Sequence, residues 1–177
     1  MREFIYFSPS AATSGNYKDL MKAGRMDIVL HSIIASFFYS HGYRDDVRLH
    51  LIFYGQPDPP KHIEINMNAD LEISKKDLSG LIKRILYKYK EGKRTEPFPG
   101  CFVEKKSFLK IVEEMHESGK EIFILDKKGH FIRDAKIHDN SVFVVGDHDG
   151  LPKAEMRRIK KIADKVSLGN ITYFASQ

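Results

Sequence analysis

An apolar run, Ser141-Val142-Phe143-Val144-Val145, opens directly into Gly146-Asp147-His148-Asp149-Gly150-Leu151-Pro152. A buried strand that breaks into glycines before a helix lets backbone N–H and C=O groups close on a ligand. After a basic segment comes a second glycine-bearing turn, Val166-Ser167-Leu168-Gly169-Asn170-Ile171, near enough in sequence to form another wall of one pocket. Two arginine–aspartate pairs stand apart from these loops: Arg25 and Asp27 at a helix start, Arg44 and Asp46 beyond the end of the same helix. Such pairs can position a substrate, stabilise developing charge or take a proton. A structural salt bridge or helix cap is an equally open reading of each. The Asp147-His148-Asp149 triplet invites a metal, but neighbours on an extended loop point in different directions and a metal needs converging ligands. No metal is expected.

Other signatures are missing. The chain holds no G-x-x-x-x-G-K-[ST] phosphate loop, no G-x-G-x-x-G after a strand and no G-x-S-x-G elbow. One cysteine, Cys101, excludes an internal disulfide framework and a cysteine-rich zinc site, and suits a cytoplasmic setting. No apolar run approaches a membrane span, and Met1-Arg2-Glu3-Phe4 does not read as a signal peptide. Net charge is +5 over 177 residues, and its distribution says more than its sum. Residues 75–94 hold eight Lys/Arg against two acids, and residues 153–165 hold six against two. Two basic helices on one domain point toward a polyanion such as RNA, while a solvated helix face remains the common fate of such stretches.

The elements that must hold these residues can be read from periodicity. Residues 2–8 alternate as a strand. Met26, Val29, Leu30, Ile33, Ile34, Phe37 and Phe38 mark an amphipathic helix over residues 24–40, stopped at His41-Gly42. Residues 47–54 and 61–67 read as strands joined through Gly55-Gln56-Pro57-Asp58-Pro59-Pro60. Ser74 is expected to cap a helix reaching about residue 90, residues 92–100 to form a loop, and Phe102-Val103 a short strand. A helix follows over 107–118, then a strand at 121–125, a strand at 142–145, a helix over 152–164 and a short strand or loop at 165–168. Apolar strands alternating with helices predict parallel pairing covered on both faces. Ligands in such sheets sit at the C-terminal strand ends, so Leu125-Asp126, Gly146-Asp147 and the turn at Ser167 to Gly169 are expected on one edge.

The loops GDHDGLP and VSLGNITYF resemble the last two signature motifs of the SPOUT methyltransferases. MREFI at the start, Gly24-Arg25-Met26-Asp27, Ser40-His41 with Arg44 and Asp46-Val47, and Tyr54-Gly55-Gln56-Pro57-Asp58-Pro59-Pro60 resemble the archaeal-type tRNA pseudouridine N1-methyltransferase family within it. The resemblance runs the length of the chain. It implies one SPOUT domain over residues 1–177, with RNA-facing elements in 1–100 and a cofactor-binding region in 101–177. It also implies an α/β fold with a mainly parallel sheet, helices on both faces and a C-terminal trefoil knot. S-adenosylmethionine is then the methyl donor, held by Leu125, Gly146, Asp147, Gly150, Leu151, Ser167, Leu168, Gly169, Asn170 and Ile171. Arg25, Asp27, Arg44 and Asp46 become the catalytic candidates, tRNA the substrate and a homodimer the assembly. Relatives of this kind usually continue past the position of Gln177 with another helix that completes the pocket. Methylation of ribosomal RNA at pseudouridine N1, 2′-O-ribose methylation, and RNA binding without catalysis stay open as alternatives.

Overall fold

The structure is a computed structural model that describes residues 1–67 and 77–170. Its centre is strand β1 (Arg2–Ser8), whose alternation sends Ile5 and Phe7 to one face and Tyr6 to the other. β4 (Val47–Phe53) runs parallel on one side of β1, with Arg2 opposite Val47 and Ser8 opposite Phe53. On the other side β9 (Ser141–Gly146) pairs in parallel, then β8 (Glu121–Phe131), then β10 (Ala163–Ser167) at the edge. Beyond β4 the pairing turns antiparallel through β5 (Lys61–Asn66), β7 (Cys101–Glu104) and β6 (Thr95–Phe98). Among the described residues the result is one eight-stranded, mainly parallel sheet in the order β10-β8-β9-β1-β4-β5-β7-β6.

Helices cover both faces. Helix α1 (Met26–Phe37) buries Met26, Val29, Leu30, Ile33 and Phe37, and α2 (Leu78–Tyr87) buries Leu78, Leu81, Ile82, Ile85 and Leu86. Both pack on the Tyr6 face. Helix α3 (Phe108–Glu117), capped by Ser107 accepting from the Lys110 N–H at 3.2 Å, and α4 (Lys153–Ile159) pack on the Ile5/Phe7 face. Burying a single Leu or Ile in these layers contributes about 1.5–3 kcal/mol, so the apolar stripes outweigh local propensity in fixing the elements.

Several boundaries differ from the sequence reading. The helix predicted to reach Ser40 ends at Phe37, because Phe38–Tyr39 (β2) and Gly42–Tyr43 (β3) form a small antiparallel hairpin. Arg44 then donates to the carbonyls of Ala35, Ser36 and Phe38, which satisfies orphan groups at the helix end. Residues 95–98, expected in a loop, form edge strand β6; Pro97 is tolerated where no further strand pairs. Ser74 lies outside the described residues. The strand expected at 121–125 continues to Phe131, and the helix expected to reach 164 yields to β10. Between Lys165 and Val166 the β10–β8 register jumps, with Lys165 opposite Ile124 but Val166 opposite His130. The intervening stretch of β8 bulges out of the pairing, while Asp126 still bonds Lys165 and Gly129 lies against the Lys165 backbone.

Candidate functional site

The parallel strands all point their C-terminal ends at one edge, and the predicted loops gather there. β9 ends at Gly146 beside Phe7, and the Asp147 N–H donates to the Phe7 carbonyl at 3.0 Å. The chain then turns sharply: the Gly150 N–H donates to the Asp147 carbonyl at 3.0 Å, with Gly150 at φ 78°. A Cβ on Gly146 would lie 2.9 Å from the Gly150 carbonyl carbon, so this fold-back needs glycine. Asp147 braces the turn. One carboxylate oxygen accepts from the Ser8 hydroxyl at 2.6 Å and the other from the Asp149 N–H at 2.9 Å.

This turn walls a cavity of about 430 Å³, the size of a small-molecule site. Leu125, Gly146, Asp147, Gly150 and Leu151 line it, as the sequence suggested. Ile124, Asp126, Lys153, Met156, Lys160 and Lys165 complete it. The lysines on α4 were not singled out from sequence, although Lys153, Met156 and Lys160 stand at i, i+3 and i+7, the spacing of one helix face. Lys165 pairs with Asp126 and, through that hydrogen bond, holds its carboxyl below the usual range. Lys153 and Lys160 make no ion pair among the described residues. The cavity thus joins an apolar side (Leu125, Leu151, Met156), close-approaching backbone and two uncommitted cations.

Ser167, Leu168, Gly169 and Asn170 reach the same edge but are not among the cavity's lining residues. The Ser167 hydroxyl bridges to Gly169, and Gly169 lies against the Phe131 ring. Ile171 falls outside the described residues.

Arg25 and Asp27 meet as expected, in a two-pronged pair at 3.0 and 2.9 Å. Arg25 holds φ 59°, ψ 44° as the helix N-cap, and among the described residues it alone has positive φ without being glycine. Such strain persists where the surroundings over-determine it, and it clusters at functional sites. Here the preceding Gly24 presses on Ser10: a Cβ there would sit 1.7 Å from the Ser10 carbonyl oxygen. Arg25 lowers the Asp27 carboxyl by hydrogen bonding. Tyr6 connects this pair to the cavity. Burial raises its phenol, the charges of Asp147 and Asp27 raise it further, and Arg25 opposes them. Both acids therefore flank one buried phenol, whose hydroxyl has no hydrogen-bond partner among the described residues.

The Arg44–Asp46 pair does not form. Asp46 instead takes a two-pronged bond from Arg2 at 2.7 and 3.0 Å, while Arg44 caps α1. Both sit before the N-terminal end of β4. Seven strand residues, roughly 20 Å, separate them from the cavity edge within the chain. Tyr54, which opens the Tyr54–Pro60 motif, is committed to packing the helices: its hydroxyl donates to Glu155 at 2.6 Å and accepts from the Phe108 N–H at 2.9 Å.

Two groups of potential metal ligands occur among the described residues. The turn brings Asp147, His148 and Asp149 within 4.8 Å of one another, closer than an extended loop would. His50, His62 and Glu64 form the other, a cross-strand cluster that sequence spacing hid. It belongs to a buried ladder: His50 Nε2 contacts Glu3 at 3.0 Å, His50 Nδ1 contacts His62 Nε2 at 2.9 Å, and His62 Nδ1 contacts Glu104 at 3.0 Å. The contacts with Glu3 and Glu104 call for hydrogens on His50 Nε2 and on His62 Nδ1, with the His62 ring otherwise neutral. Burial pushes His62 down to about 4, which fits that neutral ring. Burial raises Glu3 and Glu104, but hydrogen bonds from His50 and Lys120 in one case, and His62 and Lys106 in the other, hold each at about 2. Arg48, Arg94, Lys106 and Lys120 already supply cations to these acids, so the ladder reads as a structural network.

Comparison with known proteins identifies the family. Residues 1–177 match the family described as "Putative SAM-dependent RNA methyltransferase". The tRNA (pseudouridine(54)-N(1))-methyltransferase of Thermococcus gammatolerans is 32% identical, over 99% of this chain and 92% of that protein. The Methanopyrus kandleri protein of the same name is 33% identical, over 100% and 88%. Among solved structures, Archaeoglobus fulgidus Nep1 bound to S-adenosylhomocysteine superposes with a TM-score of 0.62 at 15% identity, covering 99% of this chain and 92% of that one. That likeness concerns the fold.

Proposed function

The chain belongs to the SAM-dependent RNA methyltransferase family, and from that premise we propose that it transfers a methyl group from S-adenosylmethionine to N1 of pseudouridine in the T-loop of tRNA. The observation that carries this reading is near-complete alignment, at 32–33% identity, with proteins named for that reaction. The cavity fits the donor chemically. Leu125, Leu151 and Met156 suit an adenine ring, the backbone at Gly146 and Gly150 can approach closely, and Lys153 and Lys160 suit the donor's carboxylate. Bound there, S-adenosylmethionine supplies an electrophilic methyl group.

Arg25 and Asp27 are the pair that meets the base. The Arg25 fork stabilises negative charge growing on a pyrimidine carbonyl as N1 forms its new bond. Asp27, held in its ionised form by Arg25, orients that fork, accepts a hydrogen bond from N1–H and takes that proton as the methyl arrives. Arg44 and Asp46 bear on the base only across a subunit boundary, in the homodimer that the reading includes. The exposed apolar side chains Phe131 and Leu168 at the β8–β10 edge support that assembly.

The reading also takes residues 1–177 as one SPOUT domain, with the turn at Ser167 to Asn170 moving onto the donor when it binds, and with a C-terminal trefoil knot. The β10 position outside β8, reached from β9 through α4, supports the threading. A cytoplasmic location follows from the substrate, and among the described residues no helix is long and apolar enough to cross a membrane. Labelled-methyl transfer onto unmodified tRNA and onto tRNA carrying pseudouridine tests the assignment. Label confined to the second is expected. Equal labelling of both would remove the N1-pseudouridine reading, and label on ribosomal RNA alone would replace the substrate.

A further inference from the structure

The exposed side of α2 has a chemistry that the methyl-transfer site leaves unused. Residues 78–90 carry Lys83, Arg84, Lys88 and Lys90 and no acid, so the intrahelical Glu–Lys pairs of an ordinary solvated face are absent. Among the described residues Arg84 alone of these four finds a carboxylate, Asp77, at 2.7 Å. Cations here lie over aromatic rings instead. Lys83 Nζ sits 4.7 Å from the Tyr17 ring centre, and Arg84 and Lys88 lie 5.7 and 4.6 Å from that of Phe98. Amid these charges Tyr87 is 63% exposed.

The position of Tyr87 matters as much as its exposure. A Cβ on Gly15 would lie 2.7 Å from the Tyr87 ring, so one edge of the ring rests on the loop between β1 and α1. That loop holds Tyr17 and ends at Gly24 and Arg25. The α2 surface and the Arg25–Asp27 pair are thus joined by a single segment.

We infer that this surface is a docking platform for RNA, with an unpaired base stacked on Tyr87 and flanking phosphates held by Lys83, Lys88 and Lys90. The inference rests on the reading that the chain acts on tRNA, and it adds where the RNA outside the reacting nucleotide is held. Every base offers a π-face to a tyrosine, and lysines contact phosphates without regard to sequence, so the platform supplies grip and orientation.

The test uses the full chain, fluorescein-labelled tRNA carrying pseudouridine, and S-adenosylhomocysteine as a probe of the cavity. Tyr87→Ala is expected to weaken RNA binding about tenfold or more, and Tyr87→Trp to keep it within about twofold. The triple variant Lys83→Ala/Lys88→Ala/Lys90→Ala should flatten the slope of log affinity against log salt by about 2. Affinity for S-adenosylhomocysteine should be unchanged throughout. Should Tyr87→Ala fail to fold, the salt slope of the triple variant carries the test. Wild-type RNA affinity in Tyr87→Ala, or an unaltered slope in the triple variant, overturns the platform while leaving methyl transfer intact. Wild-type protein that binds S-adenosylhomocysteine but no tRNA overturns the substrate reading and the platform with it.

Discussion

Replacing Glu104 with glutamine isolates one charge in the buried ladder of Glu3, His50, His62 and Glu104. Glutamine keeps an oxygen to accept the His62 Nδ1–H, so the hydrogen bond survives while the charge facing Lys106, at 3.2 Å, is lost. Glu104 is held at about 2 against an ordinary 4.5. A carboxyl depressed in this way stabilises the fold above its unfolded value, and the gain disappears as pH falls toward the folded one. A difference of about 2.5 pKa units corresponds to about 3 kcal/mol at pH 7, falling to about 1 kcal/mol at pH 3. The neutral, buried His62 also removes stability as pH falls from 6.5 through about 4. Glu104 also holds the His62 ring up, so this loss is common to both proteins only above about pH 4 and is larger in the variant below it; the comparison is therefore read from neutrality down to about pH 4. Urea unfolding of wild type and Glu104→Gln across this range measures the gap directly, through the midpoint at constant slope. The gap should be widest near neutrality and narrow on acidification. A gap that stays constant with pH, or one that widens as acid is added, would refute the assignment of charge to this ladder.

Three further outcomes concern the site. Gly146→Ala forces a methyl group against the Gly150 backbone, so calorimetric affinity for S-adenosylmethionine should fall at least about tenfold while the thermal midpoint moves little; unchanged affinity would mean that the turn does not shape the cavity. Asp27→Asn should lower single-turnover methyl transfer about a hundredfold with donor affinity preserved, and a normal rate would reassign Asp27 to a purely structural role. Lys153→Ala/Lys160→Ala should weaken S-adenosylmethionine about tenfold yet spare its decarboxylated analogue; equal losses for both ligands would exclude a role for these lysines at the carboxylate.

What could be read from sequence, and what could not, follows the range of each interaction. The α1 stripe and the run ending at Gly146 are set by neighbours in the chain, and both appear in the structure with small shifts at their ends. β6 was missed because its strand character comes from pairing with β7, and Pro97 reads as a loop until the edge position is known. Arg44 and Asp46 looked like a pair through proximity in sequence. Each instead satisfies a group brought to it by folding, the open carbonyls of α1 and the guanidinium of Arg2. The His50–His62 contact spans antiparallel strands and has no helical spacing to announce it. Within the cavity, Leu125, Gly146, Asp147, Gly150 and Leu151 follow from the motif. Lys153 and Lys160 were hidden in a general excess of basic residues until α4 turned one of its faces inward.

Ser8 sits at the junction of two loops. Its hydroxyl donates to Asp147 beside the cavity and accepts from the Ala11 N–H at 3.1 Å, at the root of the loop that ends in Arg25. The Ser8 hydroxyl is thus a direct bond path between Asp147 and the loop that ends in Arg25. On the reading that donor and RNA bind at its two ends, a change at one end that moves this hydroxyl is felt at the other, and any such coupling is reciprocal. Whatever factor the donor contributes to RNA affinity, RNA returns to donor affinity. Ser8→Ala is thus a substitution whose main signature lies in the cooperativity between the two ligands, more than in the affinity for either alone.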